Sequence, residues 1–233
     1  QSGVRALVLG FVLLFAALAL WQAAHPSRYL APDSFTYFAM AKHAAESGAW
    51  YSYSGVDHAT GVHPAYYFLL VPFAALAGDA LPLWSFFVNG AFILAGLFLL
   101  LRALGPVPTF FLGLILMTSQ AAGALNNGME SALLFFALSG FASTLYRAGE
   151  SLTIRTSAVA GAYLALAVFA RLDTVLLVAP AGLIALAGAF IRLRRGSPLF
   201  PEAVTLFSLG APVALALIVS FSLSYIYDGT LLP

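Results

Sequence analysis

The 233-residue chain has no cysteine, and Asp, Glu, Lys and Arg together make up only 8% of it. Without cysteine there is no disulfide framework and no thiol chemistry, and the redox compartment leaves no trace. With so few charges, a soluble domain of this size could not cover its surface. The net charge of +1 at pH 7 gives no basic footprint, so no nucleic-acid partner is expected. Histidine is also scarce, at four residues. Their spacing is neither HExxH nor a zinc-type pattern, so no metal site is assigned, and a divalent metal is left open.

What fills the chain is apolar: 62% of residues are hydrophobic and the mean hydropathy is +0.96. Val4–Ala24 holds one charge, Arg5, while Pro82–Leu101 and Ala203–Tyr225 hold none. At about 1.5 Å per residue, such runs match a hydrocarbon core of ~30 Å. The expected fold is all-α, a polytopic transmembrane bundle of about seven or eight membrane helices. Apolar runs set against breakers place candidate helices at 4–24, 64–78, 83–101, 107–125, 131–146, 156–170, 174–191 and 203–225. The first run is too long for a signal peptide and lacks a small-residue cleavage site. The expectation is one transmembrane domain over 1–233, forming the N-terminal part of a longer chain.

Orientation follows from Lys and Arg. Arg5, Arg102, Arg147, Arg155, Arg192, Arg194 and Arg195 fall on one side, read as cytoplasmic, leaving Arg28, Lys42 and Arg171 outside. Asp33, Glu46, Asp57, Glu130, Asp173 and Asp228 then also fall outside. This arrangement needs an odd number of crossings between His63 and Arg102. Segment 64–78 extends only about 22 Å as a helix and contains Pro72, so it reads as re-entrant or shallow.

Polar chemistry concentrates in the outer loop 25–63. It holds all the histidines: His25, His43, His58 and His63. Within it, "PDSFTYFAMAKHAAESG" predicts an amphipathic helix over about 33–47, capped by Asp33 or Ser34 and stopped at Gly48. Phe35, Phe38, Ala39 and Lys42 form a stripe suited to lying along a membrane surface. As structural residues, Asp33 is an N-cap, His25 and His43 are headgroup contacts, and Trp50 is an interfacial aromatic. Two further polar groups, "NNGMES" (126–131) and "ARLDT" (170–174), interrupt apolar runs. Read structurally, they are a turn with a favourable first-turn charge and a local ion pair. Read functionally, boundary charges are costly and mark sites. In the chosen topology both groups reach the same side as 25–63.

The order of these motifs resembles the first half of the GT-C superfamily of membrane glycosyltransferases. "APDSFTYFAMAKHAAESGAW" looks like the outer loop that opens on an acid, and "TGVHPAYYFLLVPFAALAG" like the His-Pro signature that ends it. "NNGMESALLFFAL", "ARLDTVLLVAP" and "YIYDGTLLP" look like later segments of bacterial arabinofuranosyl- and mannosyltransferase-like members. The chain departs from them in having a single acid, Asp33, where many members carry two, and Leu172 where Pro is usual. The resemblance implies an inverting transfer of a sugar from a polyprenyl-phosphate donor to a glycan or protein acceptor hydroxyl. It places the site on the outer face of a bacterial inner membrane, with no cofactor beyond the donor lipid. Asp33 is then the catalytic base. His63, Arg171 and Lys42 are candidates for the donor phosphate; Glu130, Asp173 and Asn127 orient the sugar or brace Arg171; Tyr66, Tyr67 and Trp50 line the lipid entry or stack on the sugar. Asp57 and His58 receive no role. The alternative is a non-catalytic GT-C-like membrane subunit that works with partner subunits in assembly. A transporter reading finds no inverted repeat.

Overall fold

The computed structural model describes residues 2–52, 63–149, 152–194, 196 and 198–228. Asp57, His58 and the final residues of the "YIYDGTLLP" segment lie outside the described residues. The chain folds as α1 (Ser2–Ala24), α2 (Pro26–Tyr29), α3 (Ser34–Ser47), α4 (Pro64–Ala77), α5 (Leu81–Leu104), α6 (Pro106–Leu116), α7 (Ser119–Leu125), α8 (Ser131–Ala148), α9 (Ile154–Ala170), α10 (Val175–Arg194) and α11 (Leu199–Asp228). Short 3₁₀ turns join α4 to α5 and α9 to α10. The architecture is all-helical among the described residues.

Three stretches are long and apolar enough to cross a membrane: Pro64–Leu104, Leu172–Arg194 and Leu199–Tyr227. The outer surface agrees with that length. Leu183, Ile184, Phe200, Phe207 and Ile218 are all more than 60% exposed, a pattern that belongs in hydrocarbon rather than water.

The helix ends follow from local chemistry. Gly48 closes α3 in the left-handed region, its N–H returning to the Ala44 carbonyl, as a C-terminal glycine allows. Pro64 opens α4 at N1, and Thr153 caps α9 through a reciprocal box with Thr156. Two expectations fail. The run 107–125 is not one helix: it breaks at Met117–Thr118, where the Thr118 hydroxyl accepts the Ala121 N–H and starts a new helix. Asp33 occupies the N-cap position of α3 but makes no side-chain cap bond, and Ser34 Oγ instead donates backward to the Ala31 carbonyl.

Helix pairs fix which ends lie together. The α5 and α8 helices run parallel: Asn89 Nδ2 donates to the Met129 carbonyl where both begin, and Ser143 Oγ donates to the Leu99 carbonyl near where both end. The α8 and α9 helices run antiparallel, with Tyr163 laid against Gly140 and Arg171 beside Glu130. Gly161 sits on α9 where the α11 backbone passes so close that a Cβ would lie 2.5 Å from the Leu209 carbonyl oxygen; small residues allow such approach between apolar helices. One end of the bundle therefore gathers the start of α4, the 126–131 loop and the 171–174 turn. The other gathers the end of α5, the α8–α9 connection and Arg192.

The α3 helix is turned differently from its surface stripe. Tyr37, Phe38, Met40, Ala41 and Ala44 are buried, while Phe35 stays exposed. Phe38 faces Gly128, where a Cβ would come within 3.0 Å of its ring.

Candidate active site

Three segments distant in sequence converge at the first of these ends. Glu130, the residue before α8, is 1% exposed. Its Oε1 lies 3.7 Å from His63 Nε2 and 3.7 Å from Arg171 Nη1. Neither distance is a hydrogen bond, and both carboxylate oxygens are buried without a hydrogen-bond partner. Arg171 is held by Asp173, which accepts from Nε at 3.2 Å and from Nη2 at 2.8 Å. The fork geometry leaves Nη1 turned toward Glu130.

Two groups that the sequence hides complete the cluster. The Tyr37 hydroxyl accepts the His63 backbone N–H at 3.0 Å. Burial first, and then the Glu130 charge, push its pKa far up, so it stays a protonated phenol. Asn89 is fully buried within the apolar α5; its amide donates to Met129, and its oxygen has no partner. The Tyr66 hydroxyl is likewise buried without a partner, and its ring meets Tyr37 edge-on at 5.6 Å. Neither residue stood out in the sequence: Asn89 is one amide in an apolar run, and Tyr37 lies outside the stripe of Phe35, Phe38, Ala39 and Lys42.

Charge decides what the cluster can do. Burial lowers the His63 pKa below its ordinary value, with Arg171 adding to the effect and Glu130 opposing it, so the imidazole is neutral at pH 7. The Arg171 pKa is raised, chiefly by its hydrogen bonds to Asp173. Two carboxyl groups, Glu130 and Asp173, face the one guanidinium. Arg171 is therefore a braced cation rather than a free one. The oxygens of Glu130 and Asn89 meet no donor in strict hydrogen-bond geometry, although the Tyr37 hydroxyl stands close to Glu130 and the Tyr66 hydroxyl close to Asn89; a poorly met buried acceptor is costly.

The other candidates are placed as follows. Asp33 is exposed at the start of α3 and bonds to no described side chain. Its neighbour Ala31 donates its N–H to the Asn127 carbonyl at 2.9 Å, so the start of α3 lies on the loop that carries Glu130. Asn127 Oδ1 accepts the Met129 N–H and shapes that loop. Lys42 is drawn elsewhere, bonding Asp79 at 2.5 Å, with Glu46 at 3.8 Å. Tyr66 and Tyr67 are fully buried and present no free ring face, whereas Trp50 is 39% exposed and packs edge-on against Tyr67. Of the other histidines, His25 Nδ1 bonds the Trp21 carbonyl oxygen at 3.0 Å, and His43 Nε2 is buried without a hydrogen-bond partner. Among the described residues no group of three acids or histidines is arranged to hold a metal ion.

Compared with protein-family models, curated proteins and solved structures, the chain matches none.

Proposed function

We propose that the chain is a multi-pass GT-C-like membrane glycosyltransferase module that moves a sugar from a polyprenyl-phosphate donor to an acceptor hydroxyl. The single observation that carries the reading is the convergence of Glu130, His63 and Arg171 from three separate motifs onto one buried carboxylate. In this reading α1, α5, the broken α6–α7 pair and α8 to α11 cross the membrane, and α4 lies shallow. The cluster faces outward from a bacterial inner membrane, opposite the arginine-rich end.

Each residue then has a task. The acceptor hydroxyl gives its proton to the Asp33 carboxylate as its oxygen attacks the anomeric carbon. The bond from that carbon to the phosphate oxygen breaks, and its electron pair leaves on the lipid phosphate. Arg171 Nη1 and the His63 ring N–H supply donors to the departing phosphate. Glu130 and Asn89 accept hydrogen bonds from hydroxyls of the sugar. Lys42, tied to Asp79, takes no part. The site lies at a bilayer boundary because the donor is a lipid.

The test is turnover by the full chain in proteoliposomes given a panel of polyprenyl-phosphate pentoses and hexoses together with a panel of glycan and peptide acceptors. Release of free polyprenyl phosphate is expected for one donor. Sound protein with no release from any donor contradicts an active transferase and favours a non-catalytic subunit with an assembly role.

A further inference from the structure

The end of the bundle opposite Glu130 holds a second polar concentration that the transfer chemistry does not use. A cavity of about 430 Å³ lies there, lined by Leu99 of α5, Arg147 of α8, and Arg155, Thr156, Val159 and Tyr163 of α9, among others. Along α8, Arg147 stands about 25 Å from Glu130 at helical rise, close to the ~30 Å of a hydrocarbon core. If the Glu130 end meets one boundary, this cavity meets the other.

The arginines of this end differ in their partners. Arg192 is bidentate to Glu202 at 2.8 and 2.9 Å. Arg102 and Arg194 lie over the rings of Phe98 and Phe190. Arg147 and Arg155 have no ion pair, hydrogen bond or ring partner among the described residues, and both line the one cavity. Two guanidiniums that line one cavity without a described anionic partner give that space positive charge. Arg155 also sits in the first turn of α9, where the helix dipole disfavours a cation and favours an anion. The Tyr163 ring reaches this cavity across Gly140, where a Cβ would lie 2.3 Å from it, and its hydroxyl bonds no described group.

We propose that this cavity binds the phosphate diester of an anionic phospholipid headgroup. Guanidinium forks match the paired oxygens of a phosphate. Basic pockets between membrane helices on the arginine-rich side suit such headgroups. The apolar flank decides for a lipid over a soluble phosphate: Val159 lines the cavity and is exposed, as are Tyr146 and Ile154, the chain neighbours of Arg147 and Arg155, and acyl chains would lie there.

The full chain in detergent is titrated with phosphatidylglycerol or with phosphatidylcholine of the same acyl chains, and bound lipid is counted by native mass spectrometry. Wild type is expected to bind phosphatidylglycerol about tenfold more tightly than phosphatidylcholine. The R147Q/R155Q double variant loses that preference. R28Q, which removes an exposed arginine at the other end, keeps it, and millimolar sodium phosphate does not displace the lipid. R155Q alone changes one exposed side chain and reads the same loss in part if the double variant folds poorly. Equal binding of the two lipids, or a preference that survives both arginine variants, overturns the proposal. Displacement by phosphate without lipid preference also overturns it and makes this a soluble-anion site.

Discussion

The Glu130 carboxylate lies 3.7 Å from the Arg171 guanidinium, 1% exposed, with neither oxygen hydrogen-bonded. Removing one member of a buried ion pair commonly costs about 3–5 kcal/mol, because the other is stranded. Arg171 is not stranded here, since it keeps both hydrogen bonds to Asp173 and is 37% exposed. Glu130→Gln keeps the shape and replaces the buried carboxyl group with an amide. It is expected to melt within about 3 °C of wild type and to lower transfer by more than about tenfold. Paired measurements of melting in detergent and donor turnover check this. A large fall in melting temperature with turnover preserved would make Glu130 structural.

His63 gives a pH dependence with a fixed sign. Its folded pKa is lowered by burial, so the unfolded chain binds the proton more readily. Stability on this account is full above the ordinary histidine value of about 6.5. It falls as pH drops below that value, with the loss growing until the lowered folded pKa is reached. His63→Asn should flatten the fall in melting temperature between about pH 7.5 and 5.5. An equal fall in wild type and variant would show that His63 is not the titrating group.

Lys42 and Arg171 separate a tethered surface cation from a site cation. Lys42 is paired with Asp79 and Glu46 at an exposed position, and exposed pairs contribute little. Lys42→Gln is expected to keep turnover within about twofold of wild type, while Arg171→Gln lowers it by more than about tenfold. Equal losses would return Lys42 to the donor site.

Gly161 tests the packing that brings the site together. An alanine Cβ there meets the Leu209 carbonyl oxygen at 2.5 Å, a backbone atom that no side-chain rotation relieves. Gly161→Ala is expected to destabilise the protein by about 1–3 kcal/mol through overpacking. Gly182→Ala, which meets nothing within 4 Å, should be neutral or slightly stabilising. Melting curves of the two variants check the contrast, and equal stability would mean α9 and α11 are not in this contact.

Most helix limits were legible because glycine and proline punctuate this chain: Gly48, Pro64, Gly105 and Gly149 stand where helices start or stop. The break at Met117–Thr118 carries no such residue, and a threonine cap inside an apolar run looks like helix interior. The polar motifs around His63, Glu130 and Arg171 were legible as rare groups in an apolar sequence. Their depth was not. Burial of Glu130 depends on the segments that carry Tyr37, His63 and Arg171 closing around it, and burial of Tyr37 depends on which side of α3 packs on α4. Asn89 was invisible for the same reason: one amide among apolar residues reveals nothing until its neighbour in space is known.

The central claim is that the buried Glu130 cluster and the exposed Asp33 form one site for a lipid-phosphate sugar. The most direct measurement is an electron cryomicroscopy structure of the full chain with its polyprenyl-phosphate sugar bound. The account predicts phosphate density within hydrogen-bonding distance of Arg171 and His63, sugar hydroxyls against Glu130, and the anomeric carbon on the side facing Asp33. Phosphate density at the Arg147–Arg155 end, or away from Arg171 altogether, would contradict it.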